Sequence, residues 1–277
     1  MKKLIVNVDD FGSHELVNSA VEDAFNNGIC RSTSIMSGGK AFDDAVKIAK
    51  SHKNLGIGIH FTLVKGSPVL PASEIKSLVN SSGNFHDDFS VFVKRYLTGK
   101  IDFNEVRAEL SAQVQKIQNS GIKISHVDSH QHLHVLPKIF AIISDLAVKL
   151  NVKAMRMPKA GGKMSISKLA LNFLASKARR KAEKLDFKIP DEFFGIVAGG
   201  SVSEKYLCSV IDKIQGTAEI MTHIGKDNEI LQKFLNWDHD FEMELNAVKS
   251  EIVKEKLKNS GVEIINFYDI YRSYSGH

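Results

Sequence analysis

The sequence predicts an α/β fold in which parallel strands and helices alternate around a barrel. Short β-branched runs alternate with stretches of helical periodicity along the 277 residues, as a series of βα units requires. The number of these runs is about that needed to close a barrel. A chain of this length with 43% hydrophobic residues can bury a large core, and we expect a single domain over residues 1–277.

Each predicted strand is a short apolar and β-branched run, and each predicted helix has apolar positions at helical spacing. The strands are residues 3–8, 30–36, 55–61, 123–127, 152–157, 193–197, 217–222 and 262–267. The helices are residues 14–27, 41–51, 103–119, 138–150, 165–185, 203–215 and 240–260. Gly28 and Gly121 follow two of these helices, as left-handed C-terminal caps. Residues 66–88 form a long loop excursion, of the kind that often carries substrate contacts.

The composition is that of an ordinary soluble enzyme. The net charge is +5, but the one dense basic run, residues 177–184, has no interleaved aromatics, so we expect no nucleic-acid partner. Cys30 and Cys208 are far apart and indicate neither a disulfide framework nor a zinc knuckle. No segment is long and apolar enough for a signal-peptide core or a membrane span. We therefore expect a cytoplasmic protein with no membrane partner.

Two adjacent carboxylates, Asp9 and Asp10, follow the first predicted strand directly. Like charges side by side repel, and a site that keeps both ionised usually supplies a metal ion or an arginine. The pair therefore indicates an active site. The alternative is that Asp10 or Ser13 merely caps the following helix.

Other residues that carry chemistry also cluster where strands end. His60 lies in the third strand, Arg156 lies in the fifth, and His223 follows the seventh. Because the carboxyl ends of barrel strands share one face, these side chains can converge despite their separation in sequence. This convergence is the central inference.

The densest histidine run lies around the end of the fourth strand, and it also contains Asp128. Its histidines are His126, His130, His132 and His134. Alternate spacing on an extended strand would direct them to one side, but a helix start near Pro137 indicates that the run spans strand end and loop. We expect one or two of these histidines to bind a metal, while the others orient ligands or contact substrate. The alternative is an adventitious metal-binding loop without catalysis.

Several segments of the sequence together resemble a known family. The segments that carry the resemblance are residues 7–12 (NVDDFG), 28–34, 56–61 (GIGIHF), 66–68, 126–134 (HVDSHQHLH), 156–158 and 219–223. In this order, over essentially the whole chain, they are similar to the YdjC-like family, which includes chitooligosaccharide deacetylases. The resemblance implies a distorted (β/α) barrel related to polysaccharide deacetylases. It also implies hydrolysis of acetyl groups from N-acetylated sugars by metal-activated water.

The resemblance also assigns roles to individual residues. One divalent ion, magnesium or zinc, would be held by Asp10, His60 and His130. Asp9 would be the catalytic base, Arg156 would steady the base carboxylate, and His223 would be the acid. One carboxylate and two imidazoles leave open coordination positions, as a catalytic metal site requires.

Some of these assignments have alternatives. Arg156 could be an ordinary buried ion-pair partner, and His223 could be a structural histidine with a backbone hydrogen bond. Family members often place a proline directly after the histidine corresponding to His223, where this chain has Ile224 and Gly225. The basic helix 165–185, within a helical excursion at 160–190, could be a lid, a dimer contact or a plain surface helix.

Other functions remain open from the sequence. A metal-dependent phosphoesterase on a barrel scaffold also uses Asp and His ligands, but a two-metal phosphatase needs additional bridging carboxylates. A non-catalytic sugar-binding or metal-storage protein would bind without turnover. We expect a small N-acetylated saccharide as the partner, and a homodimer as the commonest state of a soluble enzyme.

Overall fold

The computed structural model describes residues 1–163, 165–196 and 201–272. Its core is one parallel sheet of seven strands. The strands are β1 (Lys2–Phe11), β2 (Ser32–Ile35), β3 (Gly56–Phe61), β4 (His126–Ser129), β5 (Glu192–Phe194), β6 (Thr217–Thr222) and β7 (Val262–Ile265). Helices connect most of these strands, as parallel pairing requires. The predicted α/β class is therefore confirmed.

The strands curve into an incomplete barrel, with the order β4, β3, β2, β1, β6, β5. On one side of β1, β7 pairs with the first residues of the strand, from Lys2, and β2 pairs further along, from Asn7. Among the described residues, the gap between β4 and β5 is spanned by two single bridges, Val127 to Met155 and Ala154 to Lys188. The distorted barrel expected from the sequence is thus the observed fold.

The predicted strand at residues 152–157 is wrong in extent. Only Ala154 and Met155 make bridges, and the segment is otherwise irregular. Pro158 follows closely and has no N–H with which to extend a ladder. The strand predicted at 123–127 is displaced to His126–Ser129. The predicted strand 193–197 is observed as Glu192–Phe194, and residue 197 lies outside the described residues.

Eleven α-helices lie within the described ranges. They are α1 (Glu15–Asn27), α2 (Phe42–Ser51), α3 (Phe89–Leu97), α4 (Phe103–Ser120), α5 (Pro137–Lys149), α6 (Ile166–Lys184), α7 (Glu204–Ile211), α8 (Asn228–Leu235), α9 (Phe241–Lys249), α10 (Glu251–Asn259) and α11 (Asp269–Arg272). No helix within these ranges combines the length and apolar character needed to cross a membrane.

The helices differ from the prediction in their number and in the caps of the first helix. The single helix predicted at 240–260 is two helices, because Ser250 adopts ψ 131° at the end of α9 and its hydroxyl caps α10. The short helices α3 and α8 were not predicted, although Asp88 and Asp227 cap their first turns. The proposed cap of the first helix by Asp10 or Ser13 is also wrong, since the cap is His14. The left-handed cap predicted at Gly28 is wrong too, because Gly28 has φ −126°, whereas Gly121 has φ 78° as predicted.

The barrel interior is apolar at one end and polar at the other. Beside the first half of β1, a small buried cluster contains Ile5, Ile265 and Phe267. Towards the carboxyl ends, buried Asp9, Asp128 and other polar side chains replace it. The fold therefore gathers its buried polar groups at the carboxyl mouth of the barrel, where catalytic residues of βα barrels lie.

Candidate active site

The acidic pair lies in a bulge at the carboxyl end of β1. Neighbouring residues of a regular strand point to opposite faces of the sheet. Here the register with β2 shifts between Val8 and Phe11, and Asp10 has φ 63°, in the left-handed region that aspartate tolerates better than most residues. Asp9 and Asp10 are both buried, and both make their contacts inside the barrel mouth.

Three of the predicted side chains meet at one point. Asp10 Oδ1 lies 3.0 Å from His130 Nδ1 and 3.3 Å from His60 Nε2, and the two imidazole nitrogens are 3.3 Å apart. Ligands bound to zinc at about 2.0–2.1 Å in a tetrahedron are separated by about 3.3–3.4 Å. The triangle of donor atoms therefore has the size of one face of a metal coordination shell.

Asp128 orients the His60 ring from the side opposite the triangle. Its Oδ1 accepts a hydrogen bond from His60 Nδ1 at 2.7 Å, and its Oδ2 accepts one from the Ser34 hydroxyl at 2.7 Å. Since Asp128 is an acceptor, His60 carries a proton on Nδ1 and presents Nε2 to Asp10. A carboxylate behind a ligating histidine is a recurrent feature of metal sites, because it fixes the ring and its tautomer.

Arg156 joins three carboxylates behind this triangle and is fully buried. Its Nη1 and Nη2 donate to Asp9 at 2.6 and 2.7 Å, and its Nε donates to Glu219 Oε1 at 2.6 Å. Nη1 also lies 3.0 Å from Asp128 Oδ2. Asn7 Nδ2 donates to Asp9 Oδ1 at 2.9 Å. Both oxygens of Asp9 are thus held in a fixed orientation.

The pocket has an excess of negative charge. One guanidinium faces the carboxylates of Asp9, Asp128 and Glu219, and Asp10 adds a fourth nearby. Burial alone would lower the pKa of His60, but the neighbouring Asp128 and Asp9 carboxylates raise it to about 10. An environment that stabilises a positive charge this strongly also favours a bound cation. The donor set, its spacing and its charge fit one divalent ion.

Comparison with known proteins identifies the family. The family model of YdjC-like proteins matches residues 3–259. The chain belongs to the YdjC-like family. This finding confirms the resemblance noted in the sequence, and it covers the segments that contain Asp9, His60, His130 and His223.

Relatives of this YdjC-like chain have carbohydrate deacetylase as their name. One from Listeria monocytogenes is 30% identical over 274 residues, 97% of this chain and 100% of its own. Another, from Thermoanaerobacter pseudethanolicus, is 27% identical over 268 residues, 96% of this chain and 98% of its own. A carbohydrate deacetylase is also the enzyme class expected from the sequence.

A solved structure supports the fold. A protein of Enterococcus faecalis, described as a candidate cellobiose-phosphate cleavage protein, is 26% identical and superposes with a TM-score of 0.77. The match covers 97% of this chain and 98% of the other. Hence the overall fold is shared over nearly the whole length.

In this YdjC-like chain the histidine run does not act as one unit. His130 alone joins the triangle, at the point where β4 ends. Gln131 and His132 follow it with φ 52° and 57°, and this pair of left-handed residues turns the chain away from the strand direction. His132 then packs its ring edge against Phe193, at 5.8 Å between ring centroids.

The two remaining histidines of the run have structural partners. His126 lies between Ser125 Oγ at 2.8 Å and Ser34 Oγ at 3.1 Å, and its ring stacks on Phe267 with centroids 3.7 Å apart. His134 contacts Ser129 Oγ at 2.7 Å through Nδ1. Burial lowers the pKa of His126 to about 3 and that of His134 to about 4, so both are neutral. Their interactions are those of satisfied core histidines.

His223 lies directly after β6, where Thr222 pairs with Val8 of β1. Burial lowers its pKa, whereas the negative charges of Asp9 and Asp10 act in the opposite direction. The edge of its ring meets Trp237, with centroids 5.0 Å apart. His223 therefore shares an electrostatic environment with the acidic pair, as the strand-end argument expected.

Sequence reasoning missed several residues that hold this site together. Asp128 was noted without a role, Asn7 and Glu219 only stood within segments that carry the resemblance, and His239 and Glu244 were not singled out at all. Glu219 lies within a strand that reads as apolar and β-branched, and a buried charge there is a usable signal. The residues around His239 offered no pattern of their own.

Proposed function

We propose that this chain is a metal-dependent carbohydrate deacetylase acting on N-acetylated sugars such as chitooligosaccharides. The observation that carries the proposal is the meeting of Asp10, His60 and His130 from three separate strand ends, with donor atoms 3.0–3.3 Å apart. Three protein ligands leave coordination positions open, as catalysis needs. The names of the relatives support the choice of substrate class.

In this proposal Asp10, His60 and His130 hold one divalent ion, zinc or magnesium. When bound, the ion supplies a Lewis acid for the acetamide carbonyl and lowers the pKa of water from about 15.7 towards about 7. Two imidazoles favour zinc, whereas a carboxylate oxygen suits either ion. Metal analysis of the purified protein, followed by reloading of stripped protein with each ion, distinguishes the two.

Asp9 is the proposed general base. Its two oxygens accept from Arg156 at 2.6 and 2.7 Å, and this pairing fixes the direction of the carboxylate. A carboxylate has about four acceptor sites, so Asp9 can still take a proton from water while both bonds to Arg156 persist. Arg156 is thus the residue that holds the base.

His223 is the proposed general acid. The amine that leaves an amide needs a proton, because an unprotonated amine anion is a very poor leaving group. Burial lowers the pKa of His223, and this makes its imidazolium a stronger proton donor. Its position on a different strand end from Asp9 allows base and acid to act on opposite sides of the scissile bond.

The test is release of acetate and free amine from N-acetylglucosamine oligomers by metal-loaded protein. We expect turnover that is lost on chelation and restored by the ion. Asp9→Asn should abolish turnover and leave metal stoichiometry nearly intact. Unchanged turnover would remove Asp9 from the role of base, and the absence of acetate release from every N-acetylated sugar would refute the proposal.

The alternative of a two-metal phosphoesterase has less support. Such a site needs carboxylates that bridge two ions. The two nearest additional carboxylates, Asp9 and Asp128, are both paired with Arg156 within 3.0 Å. Parallel assays of phosphate release from generic phosphoesters separate this activity from deacetylation.

Three further properties belong to the same proposal. We propose a single domain over residues 1–277, because one continuous apolar cluster contains residues from Leu4 to Val262. We also propose a cytoplasmic location and a homodimer. Light scattering of the purified protein tests the homodimer, and fractionation of source cells tests the location.

A further inference from the structure

Two buried side chains make hydrogen bonds to the backbone of His223, one to its N–H and one to its carbonyl oxygen. Glu244 Oε2, on α9, accepts the His223 N–H at 2.7 Å. His239 Nε2, in the loop before α9, lies 3.0 Å from the His223 carbonyl oxygen. That oxygen can only accept, so His239 carries its proton on Nε2. Both peptide groups that flank the His223 side chain are therefore fixed from outside β6.

Glu244 also makes a hydrogen bond to a second loop, the one that precedes α7. Glu244 Oε1 accepts the backbone N–H of Val202 at 3.1 Å, just before α7, and lies 3.4 Å from His239 Nε2. Trp237 packs on His239 with ring centroids 4.0 Å apart, and it meets the His223 ring edge at 5.0 Å. Glu244 and His239 are buried, at 0% and 1% exposure. The arrangement is rigid and desolvated, as a positioning device must be.

The residue at position 224 does not itself restrict the backbone conformation of His223. A proline there would restrict the backbone of the preceding residue, but Ile224 leaves the backbone N–H and a wider range of conformations in place. Gly225 follows, close enough to Leu231 that an added Cβ would overlap its side chain. The orientation of His223 therefore depends on contacts from other elements.

We infer that Glu244 and His239 are positioning residues that hold the proposed acid, His223, against the leaving amine. The inference rests on the proposed function, in which His223 is the general acid, and it names the residues that fix the orientation of His223. The donors of His223, His239 and Glu244 also lie within 4.8 Å of one another, as in a metal cluster. However, both Glu244 oxygens accept backbone N–H groups and His239 Nε2 serves a carbonyl, so the geometry points to positioning.

The test separates proton donation from the rest of the reaction by changing the leaving group. An N-acetylated sugar releases an amine that needs a proton, whereas 4-nitrophenyl acetate releases a phenolate that needs none. Two substitutions disrupt the hydrogen bonds to the His223 backbone, Glu244→Gln and His239→Phe. Each has a matched control: Glu242→Gln removes an exposed charge from the same helix, and His239→Gln retains a donor near the original Nε2.

Glu244→Gln and His239→Phe should lower kcat/KM for the amide by about 10- to 100-fold, part of the range that a general acid contributes. Hydrolysis of 4-nitrophenyl acetate, after subtraction of the Asp9→Asn background, should change less than about threefold, because no proton is needed. Glu242→Gln and His239→Gln should resemble the parent on both substrates. Equal losses of amide and ester hydrolysis would overturn the inference. It would also be overturned if the parent bound two equivalents of zinc and Glu244→Gln bound only one.

A second measurement does not depend on turnover. Nitrogen-15 spectra of the imidazoles should show a changed His223 tautomer ratio or shift in His239→Phe, and a parent-like signal in His239→Gln. If no acetylated substrate is hydrolysed but this difference appears, the proposed function fails and the positioning stands. If Glu244→Gln does not fold, the two variants of His239 decide the question alone. Identical His223 signals in the two His239 variants would refute positioning by His239.

Discussion

Arg156 meets Asp9 edge to edge, with Nη1 and Nη2 donating to Oδ2 and Oδ1 at 2.6 and 2.7 Å. This planar match fixes the direction of the carboxylate, which a single point charge cannot do. The same guanidinium binds Glu219 through Nε at 2.6 Å. The proposed base is therefore part of a buried assembly that spans several strands.

Arg156→Lys tests whether this geometry matters beyond charge. Lysine keeps the positive charge but cannot make two parallel bonds, and a misplaced catalytic group costs about 100-fold in rate. We expect deacetylation to fall by roughly that factor at saturating metal. Arg107→Lys is the control, since Arg107 pairs with Asp145 on the surface at 2.6 Å, and turnover there should be unchanged. Equal activity of the parent and Arg156→Lys would contradict the role of Arg156.

Asp128→Asn should weaken metal binding. Asparagine can still accept from His60 Nδ1, but it removes the negative charge behind the ligand, and such changes typically cost about 10- to 100-fold in metal affinity. Competition between the protein and a chromophoric zinc chelator measures the effect. Asp145→Asn, which removes a surface charge, should bind zinc like the parent. An unchanged affinity of Asp128→Asn would show that Asp128 does not tune the ligand.

Glu219 should make stability depend on pH. Burial raises the pKa of Glu219 to about 7 from 4.5, against the opposing effect of Arg156. The folded state therefore holds this proton more tightly than the unfolded state. Its stabilising contribution is fully present below about pH 4.5 and is lost as pH rises through about 7.

Glu219→Gln removes this dependence. Across the window from about pH 4.5 to 7, the free energy of unfolding of the parent should fall relative to the variant, by at most about 1.4 kcal/mol per pH unit. Urea unfolding of metal-free protein at several pH values measures the difference. Glu183→Gln, on the exposed side of α6, serves as the control. A constant difference between parent and Glu219→Gln would show that folding does not raise the pKa of Glu219.

Gly58→Ala should disturb the site from the inside of β3. A Cβ at Gly58 would overlap the His126 ring, which is held between two serines and Phe267. Overpacking of this kind costs about 1–3 kcal/mol, and the melting temperature should fall accordingly. Gly161→Ala adds a methyl group where no atom lies within 4 Å, and it should melt like the parent. Equal melting temperatures of the two variants would mean that the interior can rearrange.

The sequence was sufficient to predict the fold class and the meeting of the three candidate ligands. Alternation of strand and helix patterns defined the order of elements, and the rule that strand ends share one face brought Asp10, His60 and His130 together. The left-handed conformation of Asp10 and the register shift beside it were not predictable, because both depend on pairing with β2. Whether each candidate performs its assigned role remains a prediction.

Other features escaped prediction because they arise from tertiary contacts. The helix at 240–260 has an uninterrupted pattern, yet Ser250 divides it where the chain bends around α7. The segment around Met155 is apolar enough to predict a strand, but only Ala154 and Met155 make single bridges. Glu244 accepts a hydrogen bond from the backbone N–H of His223, 21 positions away. A contact to a backbone group leaves no signal in the pattern of side chains, so the sequence could not predict it.

The candidate ligands all sit before loops, and the intervening connections are long: His60 and His130 are 70 residues apart, and Asp10 and His130 are 120. Lengthening a surface connection costs little free energy, because closure entropy grows only slowly with loop length. The loops between these residues can therefore change in length while the strand-end side chains keep their places. Under the proposed function, a change of sugar specificity therefore does not require moving the groups that cleave the bond.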